Sequence, residues 1–426
     1  MPLPSLPALN RSLPVTSHSS RVRHVVELFR AHADDPRLPV LLNALVGKSS
    51  YHALLAVEAA RVLGDTARLK KLAKHSSRRV RIRAAALLPL RATDPTAFAA
   101  DYITRPIAER RRLRRRIIDE GRRDLAAALL EAPLSDRERA GMLIACDPDI
   151  VADHMPELGD LVPNLAALAH RYPDVVLAEV RRRLDGAPAD RRATIWRWIA
   201  PAVRHLVRAR PREFALLVSA AESSRGLPPL FRDVAGPLLV AAPDDMSRLL
   251  ALTPAHHFSG RYGIGGRIRR RFRELTREQR SRILRATRDD EHEVACLLRG
   301  LPPSERAQAF ADAYEGVELR DRDWSEEMLD ALPRELRETQ AARMAGLPVN
   351  QGREEQLRLA AHLAPDQALT VAEPCLNSSD AEERGAAWHA ILASALRSRD
   401  PRAIVVAFAR IEILATEQDP VRNAAM

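Results

Sequence analysis

The richest concentration of residues that could bind an anion lies between positions 256 and 288, in the segment HHFSGRYGIGGRIRRRFRELTREQRSRILRATR. Four glycines precede a predicted helix that carries several arginines. Free backbone N–H groups at a glycine-rich helix start can hold a phosphate, and each arginine adds two parallel donors. The residues predicted to form this site are Gly263, Gly265, Gly266, Arg267, Arg269, Arg270, Arg271 and Arg273. The spacing G-x-x-G-x-G-G is neither a dinucleotide fingerprint nor a phosphate-binding loop, so a long loop and a solvated basic helix are the alternative.

A second basic cluster lies in RPIAERRRLRRRIIDEGRRD, residues 105–124. Helical spacing places four arginines on one face, with Leu113, Ile117 and Ile118 opposite. The four arginines are Arg110, Arg111, Arg114 and Arg115. Such a face could contact a phosphate backbone with an affinity that falls steeply in salt, or it could simply be solvated. Few aromatic residues are interleaved with either cluster, which argues against base stacking on single strands.

Other local motifs give little support for catalysis or metal binding. VGKSS at 46–50 contains the Gly-Lys-Ser of a phosphate-binding loop, but Leu42 occupies the position of its first glycine. HEVAC places His292 and Cys296 four residues apart on a predicted helix, yet no third ligand accompanies them. No Ser/His/Asp or Cys/His set is recognisable. The sequence therefore predicts no catalytic residues, no bound metal and no cofactor.

The composition is that of a helical chain that does not span a membrane. The 426 residues are 46% hydrophobic, 29% charged and only 4% aromatic, and no apolar run approaches the roughly 18 residues of a membrane span. Long alternating β-branched runs are absent, which argues against a sheet. Three widely separated cysteines do not form a disulfide framework, and the first residues lack the pattern of a secretory signal. These features favour a cytoplasmic protein.

The formal net charge of +11 is unevenly distributed along the chain. Residues 1–288 contain 52 basic and 30 acidic side chains, whereas residues 289–384 contain 10 basic and 22 acidic ones. This asymmetry suggests a nucleic acid or an acidic partner for the first part. The strong preference for Arg over Lys is also what a GC-rich genome produces, which offers a second explanation.

Repeated helix signals organise the chain from about residue 18 onward. Apolar residues recur at i, i+3, i+4 and i+7 in segments such as RVRHVVELFRAHA, YHALLAVEAARVLG and NLAALAHRYPDVVLAEVRRRL. The pair Asp-Pro, an N-cap acceptor followed by a residue suited to the first helical turn, occurs at 35–36, 94–95, 147–148, 400–401 and 419–420. Five uses of one helix-start signal indicate a reused unit.

The motif Arg-x-Ala-Ala also recurs, beginning at Arg83, Arg358, Arg384 and Arg422. Three copies follow a polar turn: HSSRRVRIRAAALLPL, NSSDAEERGAAWHAIL and EQDPVRNAAM. This pattern resembles the second helix of HEAT repeats, within the broader armadillo-type family. The resemblance is good at 76–90 and 376–394, begins again at 419–426, and is poor between about 100 and 300.

The resemblance implies an all-α, right-handed α-α superhelix of helical hairpins over residues 18–426, preceded by a flexible tail at 1–17. Residues 419–426 would then begin a repeat, as expected for the N-terminal part of a longer array. Members of such families commonly act as non-catalytic scaffolds that hold a protein partner on the concave face. The alternative is a nucleic-acid-binding protein similar to the HEAT-like DNA glycosylases.

Overall fold

A computed structural model describes residues 3–13, 17–91, 94–254 and 264–410, together with Glu417, Asp419 and Val421. Within these residues the chain forms 28 α-helices, joined by turns and short 3-10 segments, and no β-strand. The predicted all-α class is confirmed.

The chain divides into two compact units, Met1–Val175 and Val176–Met426. The helices of the first unit are α1 (Leu6–Ser12), α2 (His18–Ala31), α3 (Leu38–Lys48), α4 (Ser50–Val62), α5 (Thr66–Leu72), α6 (Arg78–Ala85), α7 (Pro95–Thr104), α8 (Ile107–Glu120), α9 (Arg123–Glu131), α10 (Asp136–Ala140), α11 (Pro148–Leu158) and α12 (Leu165–Arg171). The boundary between the units falls inside α13 (Pro173–Leu184).

The second unit continues with fifteen helices. They are α14 (Ala189–Ile199), α15 (Val203–Ala209), α16 (Pro211–Ala221), α17 (Ala235–Ala241), α18 (Pro243–Ala251), α19 (Ile264–Phe272), α20 (Arg277–Thr287), α21 (Glu291–Leu298), α22 (Pro303–Ala313), α23 (Glu326–Ala331), α24 (Arg334–Ala345), α25 (Arg353–Ala360), α26 (Pro365–Ala372), α27 (Ala381–Ser398) and α28 (Pro401–Ala409).

Two rows of helices are formed between α16 and α23. In one row, α16, α18, α20 and α22 pack on one another in succession, and in the other row α17, α19, α21 and α23 do the same. Consecutive helices such as α16 and α17 or α20 and α21 connect the rows. Each helix buries an apolar stripe, represented by Leu249, Leu284 and Phe310 in the first row. This region therefore packs as two layers of helices.

The Asp-Pro signals mark helix starts at three of the five predicted places. Asp94 is the N-cap of α7 and accepts hydrogen bonds from the backbone N–H groups of Thr96 and Ala97 at 2.9 and 3.1 Å. Asp147 and Asp400 are the N-caps of α11 and α28. Asp35 instead lies in the turn before α3. Of the predicted last repeat at 419–426, only Asp419 and Val421 fall among the described residues.

Two segments differ from the sequence-based expectation. The periodic segment 164–184 is two helices rather than one, because Pro173 starts α13 and forces Tyr172 out of the helical conformation. In the predicted flexible tail, residues 3–13 contain α1, and its Leu9 is fully buried in a core with Val25 and Phe29. The proline content of this segment suggested a flexible chain, but burial of an apolar side chain orders it.

In two of its copies the Arg-x-Ala-Ala motif places alanine where helices pack, and its arginine lies where a carboxylate can reach it. Ala360 and Ala387 are fully buried, whereas in the first copy Ala85 is exposed, Ala86 is half-buried, and the buried residue is Ala84 at the x position. The guanidinium of Arg83 donates to Glu58 at 2.9 Å, and that of Arg384 contacts Glu417 at 3.1 Å. The fourth copy, at Arg422, lies outside the described residues.

Candidate anion-binding site

Helix α8 carries the basic cluster of the first unit. Gly121 ends it in the left-handed conformation, with φ at 63°, and Leu113 and Ile117 form its buried stripe. Arg110 and Arg114 are half-buried at the edge of this stripe, whereas Arg111 and Arg115 are exposed. At roughly 100° per residue, Arg110, Arg111 and Arg114 fall within about 100° of the helix circumference. The expected grouping is therefore partly right, although Ile118 lies on the arginine side and is only half-buried.

Three of these arginines line a cavity of about 550 Å³ in the first unit. Arg137, from the short helix α10, joins Arg110, Arg111 and Arg114 around the cavity, and Glu138 is the single carboxylate among the lining residues. Arg115 does not line it. The walls therefore carry four positive charges and one negative charge.

Several contacts hold the arginines in place. Arg110 Nη1 lies 3.2 Å from a carboxylate oxygen of Glu138, and Ser135 donates a hydrogen bond to Glu138 at 3.1 Å. The hydroxyl of Tyr102 donates to the backbone carbonyl of Arg110 at 3.1 Å. Burial, reinforced by Glu138, raises the pKa of Tyr102 to about 12, so the hydroxyl remains a donor at neutral pH. The backbone of α8 and one of its guanidinium groups are thus fixed before any ligand arrives.

Gly141 makes room for the guanidinium of Arg114. A Cβ added to Gly141 would lie 2.8 Å from Arg114 Nη1 and 3.3 Å from its Cδ. The side chain of Arg114 therefore packs against Gly141, and a larger residue at position 141 would clash with it. Within the described part of the chain, Arg111, Arg114 and Arg137 have no carboxylate partner, and Arg110 Nε is buried without a hydrogen-bond partner. Three full charges remain available to a ligand.

The second predicted site, on α19, has a different environment. Gly265 is buried, and the carboxylate of Glu293 occupies the space beside it, so Gly265 does not face an anion site. Arg267 pairs with Asp233 at 3.1 Å, and Arg271 pairs with Glu274 at 2.9 Å. The other predicted positions on or after this helix are exposed: Gly266, Arg269, Arg270 and Arg273. Gly263, with the rest of 255–263, lies outside the described residues.

A larger cavity, of about 900 Å³, opens beside α20, but carboxylates neutralise much of its basic lining. Asp312 accepts two hydrogen bonds from Arg277, at 2.7 and 2.8 Å. Arg285 pairs with Glu315, and Arg282 pairs with Glu278 at 2.9 Å. The acidic residues 289–384 thus supply partners to the end of the basic part. The overall charge asymmetry of the sequence overstates the free positive charge here.

The weaker motifs form no site in the described structure. Lys48 ends α3 and Ser49 caps α4, so the Gly-Lys-Ser sequence spans two helices rather than a phosphate-binding loop. His292 Nδ1 lies 2.6 Å from Glu327, and burial raises the pKa of the half-buried Cys296 thiol. The described residues contain no group of three or more His, Cys, Asp or Glu side chains that could hold a metal ion.

Sequence reasoning missed Arg137, Tyr102 and Gly141. Arg137 belongs to SDRERAG, where it alternates with acidic residues and looks like an ordinary solvated position. Only the packing of α10 beside α8 brings it to the arginine face. Nothing in the local sequence distinguishes Gly141 from a turn glycine.

No protein-family model matches the chain, and no significant match was found among curated proteins or solved structures. Among the described residues, no helix combines the length and apolar character that crossing a bilayer requires.

Proposed function

We propose that the protein is a non-catalytic binding scaffold, a right-handed superhelix of HEAT-like helical hairpins that holds a protein partner on its inner face. The two rows of helices between α16 and α23 carry this proposal. Hairpin arrays stack in two such layers, and their curvature creates an extended binding surface. The assignment of function to this fold rests on analogy with such arrays.

Side-chain contacts between residues about 30 positions apart also support a repeated unit. Ion pairs join residues separated by 29 positions (Arg204 to Asp233), 31 positions (Glu291 to Arg322) and 30 positions (Arg353 to Glu383). These separations are 7 to 9 residues shorter than the 38-residue spacing between Arg384 and Arg422. A unit of about 30–40 residues, containing two helices, accounts for both.

A crosslinking experiment tests whether one layer faces a partner. Leu216 on α16 and Val240 on α17 are similarly exposed, at 43% and 44%, and lie in different rows. A photoreactive amino acid would replace each residue in turn, in cells of the source organism. We expect one position to capture a defined protein and the other to capture none. Equal capture at both positions, or capture at neither, would contradict a partner held on one face.

A nucleic-acid-binding function is the second candidate, and the arginines of α8 favour it. Arg111, Arg112 and Arg115 are exposed and have no carboxylate partner among the described residues. Contact with several backbone phosphates would make duplex DNA binding fall steeply between about 50 and 200 mM salt. Absence of duplex binding at the lower salt concentration would remove this candidate and leave the protein-binding scaffold.

A further inference from the structure

The arginine pocket, defined by Arg110, Arg111, Arg114, Arg137 and Glu138, has an excess of positive charge that the described residues do not neutralise. The carboxylate of Glu138 neutralises the positive charge of Arg110. Three positive charges remain, on Arg111, Arg114 and Arg137. Like charges facing one cavity repel each other, and more strongly where protein displaces water. A bound anion would relieve this repulsion.

The chemistry of the pocket matches phosphate. Arginine presents planar pairs of N–H donors that fit phosphate oxygens, and three uncompensated charges equal the roughly −3 charge of a diphosphate ester near neutral pH. The volume of about 550 Å³ is in the usual range for small-ligand sites. Ile107, which is 58% exposed, and Pro163 add apolar surface at the rim. We propose that this pocket binds a small ligand carrying a diphosphate group.

The shape of the site argues for a small ligand rather than a nucleic-acid strand. The arginines come from two helices and converge on one concavity, whereas backbone binding to a strand uses charges spread along a groove. The one aromatic lining residue, Tyr102, is 1% exposed and its hydroxyl is engaged, so it offers no face for base stacking. The site is independent of the proposed scaffold, since it requires only α7, α8 and α10 in their observed places.

The chain supplies a matched pair of variants for the test. Arg111 and Arg137 line the pocket, whereas Arg112 and Arg115 lie on the same helix α8 but outside it. All four are exposed and lack carboxylate partners among the described residues, so their loss should not unfold the chain. R111Q/R137Q and R112Q/R115Q remove equal charge. Only the first pair removes pocket donors.

Isothermal titration calorimetry of the full chain at about 50 mM salt, without divalent cations, provides the measurement. The ligands are inorganic pyrophosphate, a nucleoside diphosphate, inorganic phosphate and a short duplex DNA. We expect both diphosphates to bind more tightly than phosphate. R111Q/R137Q should weaken their affinity by at least about tenfold, and R112Q/R115Q by less than about threefold. Should the pocket double variant fail to fold by circular dichroism, R111Q is compared with R115Q, which removes the same charge outside the pocket.

Four results would overturn the proposal. The first is that neither pyrophosphate nor the nucleoside diphosphate binds. The second is that inorganic phosphate binds as tightly as the diphosphates. The third is an equal loss of affinity in both double variants, which would show general attraction to a basic helix. The fourth is tighter binding of duplex DNA than of diphosphate, which would assign the arginines to a nucleic-acid surface instead.

Discussion

The carboxylate of Glu293 lies directly against Gly265: a Cβ built on Gly265 would fall 1.7 Å from Glu293 Oε2. Glu293 is only 2% exposed, so its side chain has little freedom to move away. We expect Gly265→Ala to reduce the free energy of unfolding by about 1–3 kcal/mol, the usual range for overpacking a core. Urea denaturation of the two proteins measures this difference.

Gly266 provides the control for that substitution. It lies in the same helix α19, is exposed, and has no atom within 4 Å of an added Cβ. Gly266→Ala should leave stability unchanged or raise it by about 0.5–1 kcal/mol, because alanine favours the helix. Equal destabilisation by both substitutions would mean that Glu293 does not restrict Gly265.

The same carboxylate makes stability depend on pH. Burial, followed by the nearby Asp290, raises the pKa of Glu293 to about 7. Between its ordinary pKa near 4.5 and this value, the folded chain holds a proton that the unfolded chain has lost, so this group lowers stability as pH rises. We expect Glu293→Gln to remove that loss and to be more stable than the wild type at pH 8 by about 3 kcal/mol. Unfolding curves at pH 5 and pH 8 test this, and a difference independent of pH would contradict it.

His362 should make stability depend on pH in the opposite direction to Glu293, with stability lost as pH falls. Its ring is 1% exposed, and neither nitrogen has a hydrogen-bond partner among the described residues. Burial, with a contribution from Arg397, lowers the pKa of His362 to about 4. The unfolded chain binds a proton below pH 6.5 while the folded chain does not, so stability from this group is complete above that pH and is lost as pH falls toward 4.

His362→Leu removes this titration while keeping a buried side chain. The stability difference between wild type and variant should therefore shift in favour of the variant as pH falls from 7 to 4. Thermal unfolding at half-unit pH intervals gives the profile. Parallel curves for the two proteins would show that His362 is not held neutral by its surroundings.

Asp312 connects α22 to α20 through several hydrogen bonds. It accepts hydrogen bonds from Arg277, from the hydroxyl of Ser281 at 2.9 Å and from the amide of Gln308 at 2.9 Å. The bonds from Arg277 hold the pKa of Asp312 well below its ordinary range. Asp312→Ala leaves these donors unmatched, and we expect a loss of about 2–4 kcal/mol at pH 7.

Glu315 supplies the matched control for Asp312. It pairs with Arg285 of α20 from the turn that follows α22, and its side chain is 69% exposed. Exposed ion pairs contribute about 0–1 kcal/mol, so Glu315→Ala should have a small effect. Chemical denaturation at pH 7 compares the two, and equal losses would show that burial of Asp312 carries no special weight.

The helical class and many helix starts could be predicted from the sequence because their signals are local. Asp94 and Asp400 cap helices through backbone N–H groups two or three residues away. The break at Tyr172 follows from Pro173 and could have been predicted as well. The burial of Leu9 depends on distant residues such as Phe29, and a proline-rich local sequence does not reveal it.

The candidate site was only partly predictable. Helical spacing was enough to group Arg110, Arg111 and Arg114, because all three lie on α8. It could not add Arg137, which reaches the cavity through the packing of another helix. Equally, the neutralisation of Arg277 by a carboxylate 35 residues later depends on tertiary contact that net charge along the chain cannot show.

The two rows from α16 to α23 also affect how far local unfolding would extend after the chain is cut. Each helix there contacts the adjacent members of its own row, and pairs such as α16 and α17 or α20 and α21 add contacts between the rows. Proteolytic cleavage of one connecting turn would therefore loosen the helices beside the cut first, while helices farther along each row keep their own contacts. Local unfolding in such a region stays confined to a few helices. In a protein with one central hydrophobic core, it would affect every element that packs on that core.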